Sequence, residues 1–200
     1  MGDAGVFTNR SGKIRILDGT ATPKFLEIDF DAADFSGPIG RARTEEILKL
    51  DRGRVTADAH YIEGPDDKIM EPLTISFGAL LTDLVVTDYL LDWMEILNGA
   101  TATINGHTIT STKEDTQNDG ANNNPPFADS GKKACNVEIF FDGTTTDQGY
   151  KYAEVYFPLD QCQFSEGEDA VPVALSGLVF GTINRITAFT SGDSVEEAAG

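Results

Sequence analysis

Apolar and polar residues alternate with a period of two through most of the chain, the pattern of strands with one buried face. Ile14 and Ile16 share a face beside Lys13 and Arg15, and Asp18-Gly19 supplies turn chemistry. Leu26, Ile28 and Phe30 alternate with Glu27, Asp29 and Asp31. Leu73, Ile75, Phe77, Ala79 and Leu81 do the same, as do Val137, Ile139 and Phe141. Tyr150 to Phe157 is aromatic and β-branched on both faces. Val171, Val173, Leu175 and Val179 alternate with small residues. Gly181 marks a bulge or turn, and a last strand spans Ile183 to Phe189.

A single helix interrupts the strands. Thr87 is its N-cap, Asp88 suits its first turn, and Asn98-Gly99 stops it. Leu90, Trp93, Met94 and Leu97 fall on one face, which Tyr89 and Ile96 widen. Ala42 to Leu50 has helix-favouring residues, but the Arg52-Gly53-Arg54-Val55 that follows makes it extended. The βα repeat of a parallel α/β fold is absent. The expected fold is all-β with one α-helix, a β-sandwich or partly open barrel. It forms one domain over 1–200, with an N-terminal arm (1–11), a long polar loop (110–133) and a C-terminal arm (191–200). The loop contains no Val, Ile, Leu or Met. Its Phe127 and the prolines Pro125 and Pro126 are its candidate contacts with a neighbouring subunit.

Charge sharpens the picture. Thirty-three acids against 15 bases give a net charge of -18. That excludes a basic nucleic-acid binder, because phosphate binding needs clustered Lys and Arg. The longest apolar stretch, Leu80 to Leu97, is broken by Asp83, Asp88, Asp92 and Glu95, and falls short of a membrane span. Met1 to Ala4 has neither the basic nor the apolar stretch of a signal peptide. Cys135 and Cys162 read as two reduced thiols rather than a disulfide framework.

Catalytic and metal chemistry finds little support. His60 and His107 have no partner at ligand spacing and read as strand histidines, His107 following an Asn105-Gly106 turn. Asp115, Gln117, Asp119 and Gly120 imitate the start of a calcium loop, but Pro126 stands where a bidentate Glu is required. Phosphate-loop, dinucleotide and nucleophile-elbow motifs are missing. The expectation is therefore no enzyme, no cofactor and no metal. Phe7, Phe25, Phe35 and Phe164 lie beside turns, as satellite core under loops or as anchors of a subunit interface. Of these, Phe7 and Phe35 are the interface candidates.

The chain resembles the major tail tube proteins of long, flexible-tailed bacteriophages. The resemblance rests on Glu45-Glu46-Ile47-Leu48-Lys49-Leu50-Asp51-Arg52-Gly53, on Asp58 to Asp66, and on Glu71-Pro72-Leu73-Thr74-Ile75-Ser76-Phe77. Gly167 to Ala170, Leu175-Ser176-Gly177 and Gly181 to Thr187 extend it, so that it covers about half the chain. It implies a sandwich with one flanking helix, assembled into hexameric rings that stack into a hollow tube. Inner sheets of neighbours would join into one closed barrel, leaving no exposed edge. The implied partners are further copies of the chain, tail terminator and tail tip proteins, a tape measure protein in the lumen, and double-stranded DNA in transit without specific binding. The implied place is the virion, with assembly in the host cytoplasm.

Four strands from each of six subunits, ~4.8 Å apart and tilted ~40°, would give a backbone diameter of roughly 48 Å, wide enough for a duplex. An acidic lining repels phosphate over about a Debye length, ~8 Å. Glu27, Asp29, Glu138 and Glu154 are the lumen-lining candidates, each an acid on an expected strand. Two other readings remain open. One is the tube protein of a bacterial contractile injection system. The other is an acidic β-sandwich that binds carbohydrate or calcium.

Overall fold

In a computed structural model of the chain, the residues described are 12–29, 35–40, 73–81, 89–98, 103–110, 133–141, 148–165 and 171–198. Strands β1 (Gly12–Leu17), β2 (Lys24–Asp29) and β3 (Leu73–Leu81) precede helix α1 (Tyr89–Leu97). There follow β4 (Thr103–Ile104), β5 (His107–Thr108), β6 (Cys135–Phe141) and β7 (Gln148–Tyr156). A 3-10 turn (Leu159–Gln161), β8 (Gln163–Phe164), β9 (Val171–Val179), β10 (Ile183–Ile186) and β11 (Asp193–Ser194) complete the order. The expected extended segment at Ala42 to Leu50, His60, the N-terminal arm and the polar loop 111–132 lie outside the described residues.

All strands but two join one nine-stranded sheet of order β11-β2-β1-β6-β7-β9-β3, with β10 on β7 and β8 on β9. β4 and β5 form a separate small ribbon. The pairing is antiparallel throughout the sheet except at β11, which lies parallel to β2. Of the expected alternatives, a β-sandwich or a partly open barrel, the strands form one continuous sheet rather than two stacked ones. It is open, with no pairing between β11 and β3 among the described residues.

Register explains the core. Ile28, Ile14, Ile139 and Tyr150 stand side by side across β2, β1, β6 and β7. Leu26, Ile16, Val137 and Tyr152 form the next row. β7 then bulges: Ala153 and Glu154 together oppose Asn136, and Glu154 takes a positive φ of 56°. Beyond the bulge, Val155 and Tyr156 pair with β9, while the first half of β7 pairs with β10. The β9–β3 arm leaves the sheet there and lines the same interior, placing Ile75, Phe77, Val173 and Leu175 in one cluster with Ile14, Ile16 and Trp93.

Helix α1 closes that interior. Leu90, Trp93, Met94, Ile96 and Leu97 are all buried, as their spacing predicts. Asn98 ends the helix: its side-chain Nδ2 donates to the Met94 carbonyl (2.9 Å) and to the Phe157 carbonyl (3.3 Å). Its side-chain oxygen accepts from the Tyr156 hydroxyl at 3.0 Å. The stop residue therefore also ties the helix to the end of β7.

Trp93 is fully buried and its indole N–H has no partner among the described residues. Trp93→Ala leaves a large cavity and should cost about 3–5 kcal/mol in chemical denaturation. A variant with unchanged stability would place the helix outside the cooperative core.

Candidate functional surface: a charge row under a C-terminal strap

The sheet has a second face, opposite the core. Here the register sets Glu27, Arg15, Glu138 and Lys151 next to one another across β2, β1, β6 and β7. The signs alternate across four strands, so Arg15 and Glu138 each stand between opposites, the favourable arrangement for cross-strand pairs. Arg15 Nε donates to Glu27 Oε2 at 2.6 Å, and Lys13 also pairs with Glu27. Lys151 Nζ lies 3.0 Å from Glu138 Oε1.

The last segment of the chain crosses this row. After β10 it bends at Thr187 and Ala188, and the Phe189 ring lies 4.7 Å from Phe140. Arg15 is held between two rings, its guanidinium 4.2 Å from Phe189 and 4.1 Å from Phe25. The Thr190 amide donates to Glu138 Oε2 at 2.8 Å, and its hydroxyl donates to Oε1. Lys151 Nζ donates to that same hydroxyl at 3.1 Å.

The segment then reaches the outer edge of β2. Asp193 and Val195 donate their amides to the Pro23 and Phe25 carbonyls, each at 2.9 Å. Lys24 pairs with Asp193, and Val195 is fully buried in the core cluster. Gly192 permits the approach, since a Cβ there would lie 2.1 Å from the Pro23 carbonyl oxygen. The end of the segment meets the β4–β5 ribbon, where His107 Nε2 lies 2.9 Å from the Glu197 carbonyl oxygen. That ribbon turns through Asn105 and Gly106, both at positive φ.

A buried carboxylate sets the other end of β1. Asp18 is 1% exposed. Its Oδ1 accepts from the Thr20 amide (3.1 Å), the Thr20 hydroxyl (2.7 Å) and the Lys24 amide (3.0 Å). Its Oδ2 accepts from the Thr110 amide at 3.1 Å. One side chain thus closes the β1–β2 turn and fixes the residue just after the ribbon.

The expected lumen acids do not share one environment. Glu27 is half-buried in the charge row, and Asp29 pairs in register with Lys13. Glu138 is 0% exposed, so its expected position on an open face is corrected: its own chain covers it. Glu154 is half-buried at the bulge, its amide donating to Asn136 Oδ1 at 3.3 Å. Phe35 packs on Tyr152, with centroids 5.8 Å apart, and Phe25 is buried beneath Arg15. Phe7, Phe127, Pro125 and Pro126 lie outside the described residues. Of the expected C-terminal arm (191–200), Asp193 and Val195 bond to β2 of the same chain.

Sequence reasoning missed Arg15, Lys151, Thr190 and Val195. Opposite charges on outward strand positions were a visible signal, but only register joins them into a row. Burial raises the Cys135 and Cys162 thiols above their ordinary values, which keeps both protonated and poorly nucleophilic.

No protein-family model matches the chain, and no curated protein matches it. A solved structure of the anti-feeding prophage baseplate, obtained by cryo-electron microscopy with sixfold symmetrisation, aligns with it at a TM-score of 0.43 and 8% identity. The alignment covers 93% of this chain and 97% of that one. At that score the likeness carries no argument about family or function.

Burial pushes the Glu27 carboxyl up, but hydrogen bonds and charge from Lys13 and Arg15 outweigh it and hold the group below its ordinary value of 4.5. A depressed carboxyl stabilises the fold above its unfolded value and loses that effect as pH falls through its folded value. Glu27→Gln should therefore be less stable than the parent at neutral pH. The gap should narrow below about pH 4.5 in urea denaturation. A gap that stays constant across that range would mean the row does not act through Glu27.

Proposed function

We propose that the protein is a structural subunit of a phage-tail-like tube, assembling with copies of itself into stacked rings that enclose a channel. The observation that supports this reading is the order of strands, single helix and further strands, which fits the sequence resemblance. The structure contributes an all-β fold with one helix and an open sheet. Its edge strand β3 is nine residues long, and among the described residues it has one outer partner, a two-bond bridge between Ser36 and Ser76. An edge of that length in a chain of this kind is suited to pairing with a neighbour.

Channel function agrees with the charge. At -18 per chain, six chains carry roughly 108 formal negative charges, which keep a polyanion from adhering to the wall. Glu27, Asp29 and Glu154 remain the acids proposed for the lumen. The strap removes Glu138 from that set. Phe127, Pro125 and Pro126 are proposed to reach a neighbouring subunit, with Phe7 beside them. Tail terminator, tail tip and tape measure proteins are the partners such a tube requires, and the virion is its place. The same assembly serves the tube of a contractile injection system, and binding of a sheath protein separates that source from a flexible phage tail.

Negative-stain microscopy of the purified full chain at high concentration should reveal rings or tubes of uniform diameter. A strictly monomeric protein under conditions that preserve tails would overturn the reading. Replacing Asp29 and Glu154 with Lys adds two cations per subunit, roughly twelve in a six-membered ring. Tubes of that variant should retain DNA with an affinity that falls steeply with salt, whereas parent tubes should not.

A further inference from the structure

We propose that residues 187–198 form a latch: one cooperative unit that lifts off the sheet while the sheet beneath stays folded. This does not depend on the tube reading. The segment's ladder with β2 has only two register positions, against six between β1 and β6. It hinges at Thr187 and Ala188, both exposed.

What it covers does not need it for charge balance. With the strap away, Glu138 keeps Lys151 at 3.0 Å and Arg15 beside it in register, and gains water. No unpaired buried charge is created, which is the usual obstacle to opening over a carboxylate. Two bolts hold the latch shut. One is Thr190, whose amide and hydroxyl both bind Glu138. The other is Val195, whose side chain is fully buried. Between them Gly192 allows the chain to touch Pro23. The bolts act on one short backbone, so loosening either should loosen both. The open latch presents the charge row and the Pro23 and Phe25 carbonyls, now free acceptors on the outer edge of β2, to a partner strand.

Hydrogen exchange of the unassembled full chain tests this. In the parent protein the Thr190, Asp193 and Val195 amides should share one protection level, at least about tenfold below those of Ile14, Ile16, Val137 and Ile139. Gly192→Ala and Val195→Ala should each speed exchange at all three strap amides by about tenfold or more, with the sheet amides unchanged. A disulfide between Lys24→Cys and Asp193→Cys should slow Thr190 exchange to the level of the sheet. Strap and sheet amides with equal protection in the parent protein would make the segment an integral part of the fold and overturn the proposal. So would a Val195→Ala variant in which Thr190 exchange does not change, because the two bolts would then be independent.

Discussion

A carboxylate with no exposure to water dictates much of this molecule. Taking such a group out of solvent costs several kcal/mol unless cations and donors surround it. Glu138 meets that demand from three directions: Lys151 from β7, Arg15 in register on β1, and the amide and hydroxyl of Thr190 from above. Lys151 and Arg15 supply the charge from within the sheet, and Thr190 completes the donors when the strap lies over them. A one-residue slip between β6 and β7 would send Lys151 to the core face and bring an apolar neighbour to the carboxylate. The apolar rows inside and the charge row outside therefore enforce the same register, and neither could shift alone.

The bulge in β7 is what lets one sheet serve two purposes. Before it, the strand carries the end of the charge row and pairs with β10. After it, the strand pairs with β9, and the β9–β3 arm turns its apolar side chains to the same interior. Phe77 on the arm meets Phe157 edge-on at 5.9 Å, just past the end of β7. One extra backbone position, where Ala153 and Glu154 together oppose Asn136, thus stands at the junction where the strand changes partners.

Strand existence was legible because alternation is local. So was the buried face of α1, and Asn98 was readable as its stop. The architecture was not, since a sandwich and a curled single sheet have the same alternation and differ only in long-range pairing. The expected strand to Phe189 ends at Ile186, because Phe189 and Thr190 leave the ladder to lie on the sheet face. The C-terminal residues read as an arm because small and acidic residues compose both tails and straps. A single valine, Val195, distinguishes them, and one apolar residue is no pattern. Glu138 looked like a solvent-facing acid for a related reason: alternation names two faces and says nothing of what covers the outer one. Asp18 was read as turn chemistry, but its bond to Thr110 joins segments that no turn motif connects.

The parallel pairing of β11 with β2 has a bearing on synthesis. β2 is made well before β11, and the pairing of Lys24 with Asp193 closes a loop of 169 positions. Central strand β1 meanwhile waits for β6, which lies far downstream, before its second edge is covered. Contacts of this span carry a large closure entropy and form slowly. Until β6 has been made, the β1–β2 hairpin leaves apolar Ile14 and Ile16 uncovered, a state vulnerable to misassembly. The alternating charges on its other face, Lys13 and Arg15 against Glu27, keep that half-built hairpin soluble until the rest of the sheet arrives.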